Sequence, residues 1–129
     1  MRNALNTGIE LVAIDEANDK KIIAEIHCYN LQPKVFNHVL SELTIVVSPG
    51  EQGRGIGKKI FCTLLEEIEN NRIDILRVEL IARESNDKAI NFYKSIGFVQ
   101  EGRFEKRIHN DGVYEADIPM AWFNKNFKQ

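Results

Sequence analysis

The chain has 129 residues, a little under the roughly 150 of an average domain, so it has room for one compact unit and no second. Its 43% hydrophobic and 28% charged residues, with only 3 prolines and 8 glycines, exclude a disordered or collagen-like chain. A formal net charge of -2 and a pI near 5.9 remove the electrostatic case for nucleic acid or an anionic membrane as the main partner.

In chain order, Glu10 to Asp15 and Lys21 to Tyr29 are short Val- and Ile-rich runs separated by a polar turn, which predicts an antiparallel pair. Ser41 to Ser48 is a dense β-branched run stopped by Pro49 and Gly50, which predicts a central strand running into a glycine-rich turn. From Gly55 the period becomes helical, with Ile56, Ile60, Phe61, Leu64, Leu65 and Ile68 on one face of a helix ending near Asn70 and Asn71. Arg77 to Ala82 is the next strand. Ser85 or Asn86 caps a second helix whose apolar positions are Ala89, Ile90, Tyr93 and Ile96, with Gly97 as its stop. Phe98 to Phe123 reads as two strands joined at Asn110, Asp111 and Gly112, with Tyr114, Ala116, Ile118, Met120 and Trp122 alternating against polar neighbours. The expected fold is α/β, a mixed sheet with a central parallel pair, a right-handed crossover and antiparallel flanking strands.

Cys28 and Cys62 form no C-x-x-C, and no His stands at metal-ligand spacing, so two reduced thiols and no metal site are expected. The first residues carry no apolar leader stretch and no segment is apolar enough to span a membrane, which makes the cytoplasm the expected address.

The segment V-V-S-P-G-E-Q-G-R-G-I-G-K-K, Val46 to Lys59, carries the most chemistry. A strand that ends in glycines and opens a helix presents free N–H groups and a positive helix end, which suits a phosphate or pyrophosphate. Arg54, Lys58 and Lys59 add cations there. The spacing fails both G-x-x-x-x-G-K-[ST] and G-x-G-x-x-G, which disfavours a nucleotide-binding domain. It fits Q-x-x-G-x-G as Gln52, Gly55 and Gly57.

Here the sequence resembles the GNAT superfamily of acetyl-CoA-dependent N-acetyltransferases, and Asn86 to Phe98, N-D-K-A-I-N-F-Y-K-S-I-G-F, resembles that family's N-x-x-A-x-x-[F/L]-Y-x-x-x-G-F helix. The resemblance runs from about Ile9 to the C-terminus. It implies one N-acetyltransferase domain over residues 1–129, moving an acetyl group from acetyl-CoA to a primary amine (a small amine, an amino acid or a protein N-terminus) by direct transfer in a ternary complex. The different-class alternative is a noncatalytic acyl-CoA-binding, sensing or dimerisation module.

On this resemblance the turn Gln52, Gly53, Arg54, Gly55, Ile56, Gly57 and Lys58 would bind the CoA pyrophosphate. Val46 and Val47 would offer main-chain groups to the pantetheine arm, and one such N–H could polarise the thioester carbonyl. Asn86 and Ala89 would contact the arm, although Asn86 is equally a helix cap. Tyr93 is implied as the general acid for the departing thiolate, and Glu42 as the base or water-orienting acid, with Glu79, Glu101 and Asp117 as competitors. Arg103, Lys106 and Arg107 form a basic cluster that either meets solvent or recognises an acidic group of the substrate. Family members begin with a strand and two helices ahead of the Glu10 strand, where this sequence has about eight residues. The expectation is therefore an abbreviated domain whose exposed apolar surface a homodimer would cover.

Overall fold

The computed structural model describes residues 8–129. Its elements are β1 (Gly8–Asp15), β2 (Lys21–Asn30), β3 (Val39–Val47), α1 (Ile56–Asn71), β4 (Arg77–Arg83), α2 (Asp87–Ser95), β5 (Val99–Gln100), β6 (Phe104–Asn110) and β7 (Val113–Phe123), with short 3₁₀ turns at Lys34–Phe36 and Pro49–Glu51. They form one seven-stranded sheet in the order β1-β2-β3-β4-β7-β5, with β6 on the same edge of β7 as β5. Only β3 and β4 run parallel, as α1 crosses between them. The expected mixed sheet with its central parallel pair is thus the fold observed.

One face of the sheet carries the core. Ala24, Ile26 and Cys28 of β2, Leu40 of β3, Val78 and Leu80 of β4 and the alternating Ala116, Ile118, Met120 and Trp122 of β7 meet the α1 stripe Ile60, Phe61, Leu64, Leu65 and Ile68. α2 joins through Phe92 and Tyr93, whose rings lie 5.6 Å from that of Phe61. Neither helix covers the opposite face, where Val12, Ile14, Val46 and Ile81 are exposed.

The segment after α2 departs from the expected two strands and makes three. Pro119 of β7 accepts from the Glu101 N–H but has no N–H to return. The ladder lapses there, so Val99–Gln100 and Phe104–Asn110 are separate strands.

Two features position the cleft. β3 and β4 are in register only at Val39 with Arg77 and Leu40 with Val78, after which they diverge. At that point β3 also bulges: His27 pairs with Thr44 and Tyr29 with Ser41, so Glu42 and Leu43 stand against Cys28 alone. Glu42 takes the left-handed conformation, φ +57, a strained choice for a residue with a Cβ and one that re-aims its side chain.

Candidate active site

The turn between β3 and α1 has the geometry of an anion cradle. Gly53 and Gly55 have φ +83 and +79, and nothing lies within 4 Å of the Cβ either would gain, so the left-handed backbone and not crowding calls for glycine. Gly55 caps α1 with no side-chain bond to the first turn, and the first helical bond into the cap runs from Lys59 N–H to Gly55 C=O. The N–H groups of Ile56, Gly57 and Lys58 therefore remain available at the positive end of a 16-residue helix. Arg54 pairs with Glu51 at 2.6 Å, and Lys58 and Lys59 are exposed. Gly57 packs on β3, its would-be Cβ 3.5 Å from Val47 Cγ2.

At the end of β3 the Ser48 N–H donates to Ile23 C=O and Val46 is in register with Glu25. Strand alternation thus turns the main chain of Val46 toward β2 and that of Val47 toward the opposite edge, which β4 has left. The Val47 carbonyl there accepts from Gln52 Nε2 at 3.2 Å. The first turn of α1, the Val47 edge and the mouth of the gap form a continuous polar track, which suits a long ligand with a phosphate at one end.

Asn86 caps α2, its Oδ1 accepting from the Ala89 N–H at 3.2 Å, so the capping role expected for it is realised and its amide N–H groups remain for a ligand. Tyr93 is half-buried among the rings of Phe61, Phe92 and Phe98. Burial pushes its hydroxyl above the usual tyrosine range, which keeps the proton on the oxygen at neutral pH. That hydroxyl makes no hydrogen bond to another described residue and is not sealed from solvent.

On the face away from the helices, a cleft of about 620 Å³ opens where β3 and β4 separate. Glu42, Arg77, Glu79, Glu101 and Phe104 line it, and it reaches between the strands to Leu43, Leu80 and Met120. Glu42, Glu79 and Glu101 are thereby brought together, while Asp117 lies apart, 3.4 Å from Arg107. The basic cluster expected at Arg103, Lys106 and Arg107 is largely neutralised within the chain, because Arg103 pairs with Glu84 and Glu105 and Arg107 with Asp117. Sequence reasoning missed Arg77, which bridges Glu79 and Glu101 and is joined by Ser41 at Glu79. Its spacing of two from Glu79 puts both on one strand face, but its other partner, Glu101, is 24 positions away and no local pattern joins the three.

Cys28 is fully buried and burial pushes its thiol up to about 12, whereas Cys62 is half-buried on α1. Among the described residues no group of three or more His, Cys, Asp or Glu is placed to hold a metal, and no helix is long and apolar enough to cross a membrane.

A mixed sheet splayed beside a glycine-rich helix start is the architecture of an acyl-CoA acyltransferase fold. The chain belongs to the acetyltransferase (GNAT) family, whose profile matches residues 5–98. It is similar to the spermidine N(1)-acetyltransferase of Escherichia coli, 29% identical over 93 residues that cover 70% of this chain and 50% of that protein. A Streptococcus mutans protein of known crystal structure superposes with a TM-score of 0.77 at 26% identity, over 91% of this chain and 70% of that one. A GNAT-family acetyltransferase from Streptococcus pneumoniae reaches 0.79 at 23% identity, over 92% and 68%, a likeness of fold. The chain spans about half the length of the curated relatives it matches.

Proposed function

We propose that this protein transfers an acetyl group from acetyl-CoA to a primary amine, directly and without an acyl-enzyme. The observation that carries the reading is the uncapped α1 N-terminus beside a β3 edge that β4 has abandoned. Acetyl-CoA supplies the activated acyl group. The N–H groups of Ile56, Gly57 and Lys58 hold its pyrophosphate, the side chains of Arg54 and Lys58 add charge, and the Val47 edge aligns the pantetheine arm. The exposed Gln52 amide gives up the Val47 carbonyl when the arm takes its place. Asn86, beside Ala89, offers its amide N–H groups from the far side of the gap.

The acceptor enters from the open face. An amine is protonated at neutral pH and must lose a proton before it attacks, and Glu42, aimed by the bulge, accepts that proton directly or through a water. The new C–N bond forms as the C–S bond breaks, and the Tyr93 hydroxyl gives its proton to the leaving sulfur. Cys28 takes no part, because a buried thiol titrating near 12 is not a nucleophile at neutral pH. Within this reading a second copy of the chain would cover Val12, Ile14 and Val46.

The test is release of free thiol from acetyl-CoA across a panel of amines. Turnover with at least one amine is expected, and Tyr93→Phe should lower kcat by about a hundredfold or more with acetyl-CoA affinity unchanged. Because burial raises the Tyr93 hydroxyl, its ionisation should not limit the rate until pH exceeds the usual tyrosine range. Tight acetyl-CoA binding with no thiol release from any amine would favour the noncatalytic binding module instead.

A further inference from the structure

We infer that the cleft between β3 and β4 refuses a carboxylate, so that the acceptor is an amine with no acid group beside the reacting nitrogen and free amino acids are excluded. This rests on the acetyl-transfer reading above and narrows its range of amines.

The side chains that can donate into the cleft are already directed at acceptors of the chain itself. Two cations line it, Arg77 and Arg103. Arg77 Nε donates to Glu79 Oε2 at 2.9 Å, and its Nη1 and Nη2 donate to the two oxygens of Glu101 at 3.3 and 2.6 Å. Glu101 thus occupies the forked end of the guanidinium, the place that would receive a substrate carboxylate. Arg103 Nε donates to Glu105 Oε2 at 3.0 Å and its Nη2 to Glu84 Oε2 at 2.9 Å. The hydroxyls are engaged too: Ser41 Oγ donates to Glu79 Oε1 at 3.0 Å and Thr44 Oγ1 to the Glu42 carbonyl at 3.1 Å.

Charge follows the same pattern. Arg77 between Glu79 and Glu101 makes one cluster of net negative charge, and Arg103 between Glu84 and Glu105 makes another. Glu42 adds a further carboxylate to the lining, one with no ion pair or hydrogen bond to any described residue. Exposed pairs such as those of Arg103 exchange partners easily, yet the carboxylates outnumber the guanidiniums whichever they face. Lys106 acts on Glu105 but does not line the cleft. Such a cleft draws in an ammonium, whereas a carboxylate would lose water against like charge and meet no unspent guanidinium. An α-amino acid carries its carboxylate one carbon from the amine, so the acid enters with the nitrogen.

The experiment compares phenylethylamine with phenylalanine, which differ by the carboxylate alone. It adds phenylalaninamide, whose amine is flanked by a neutral amide as at a peptide end. Thiol release from acetyl-CoA is measured for each, and binding to the CoA-loaded protein is followed by calorimetry. The wild type should favour phenylethylamine over phenylalanine in kcat/KM by about tenfold or more, and the preference should shrink as salt is raised. Phenylalaninamide should match phenylethylamine if the acceptor is a peptide end and lag behind it if the acceptor is a small amine, with phenylalanine the poorest of the three either way. Glu101→Ala vacates the fork of Arg77 and opens space for a substrate carboxylate, so it should raise phenylalanine relative to phenylethylamine by at least about tenfold. Arg77→Gln removes the cation and leaves the carboxylates, so it should move the ratio the other way. A purely structural role for this pair would lower turnover with both acceptors and leave the ratio in place. Should neither variant fold, the salt dependence of the wild-type preference decides.

A wild type that uses phenylalanine as well as phenylethylamine, or a preference that neither salt nor the variants move, overturns the inference. A CoA-loaded protein that binds none of the three overturns it as well. Turnover with phenylalanine at parity leaves the acetyl-transfer reading standing while this inference falls. The predicted preference in binding without any thiol release does the reverse.

Discussion

Asn124 is buried just beyond the end of β7 and closes the far end of α1. Its Nδ2 approaches the carbonyls of Ile68, Arg72 and Ile75 at 3.4, 3.4 and 3.0 Å, and its Oδ1 accepts from the Asn126 N–H. The Ile68 and Arg72 carbonyls, at the last turn of the helix and the loop after it, also accept from the Arg72 and Ile75 N–H groups, so the amide adds a second donor there and makes its shortest contact to the Ile75 carbonyl. Asn124→Leu keeps much of the volume and removes the donors, so it should cost about 1–3 kcal/mol in urea unfolding with acetyl-CoA affinity unchanged. A change under about 0.5 kcal/mol would mean that water replaces the amide without penalty. In the sequence, an Asn between Phe123 and Lys125 reads as an ordinary turn residue, since its partners lie 49 to 56 positions back. Glu42 was legible as a candidate but its bulge was not, because a glutamate at positive φ leaves none of the Gly or Asn signal that marks such backbone.

At the scale of elements, period together with cap and stop residues placed both helices, because each has an apolar face that a strand pattern cannot imitate. α1 was expected from Gly55 to Asn70 or Asn71 and spans Ile56–Asn71. The division of β5 from β6 was not legible, since it follows from Pro119 on a strand that pairs with them only in the folded state. The start of α1 offers a separation of binding from stability. Gly55→Asp places a carboxylate at an N-cap, where it complements the helix dipole, in a left-handed conformation that Asp tolerates better than most residues. The variant should melt within a few degrees of the wild type yet bind acetyl-CoA at least about tenfold more weakly, because the added charge faces the pyrophosphate. Gly55→Asn, equal in size and uncharged, should lose less. If acetyl-CoA affinity survived Gly55→Asp, the turn would not be the pyrophosphate site.

Across the whole molecule, the sheet is two halves held at a narrow waist. β1, β2 and β3 with α1 lie on one side, β4, β5, β6 and β7 with α2 on the other, and the parallel ladder between them has only two registered pairs. The halves are also joined by Ser41 on Glu79, by Asn124 on the end of α1, and by the core, where Phe61 of α1 meets Phe92 and Tyr93 of α2 and the Phe98 that follows it. A ligand that runs from the α1 N-terminus along Val47 to Asn86 touches both halves, so it exists as a site only when they are assembled, and binding must raise the stability of the assembled state. At a hundredfold excess over Kd the gain is about 2.7 kcal/mol, which for a domain of this size raises Tm by roughly 10 °C. Acetyl-CoA should produce that shift in a single transition, ATP and NAD should produce little, and Gly55→Asp should remove most of the acetyl-CoA shift. ATP shares the adenine and phosphates but has no pantetheine arm, so a full shift with ATP and none with acetyl-CoA would mean that the gap between β3 and β4 holds no thioester arm, and the acetyl-transfer reading would fall.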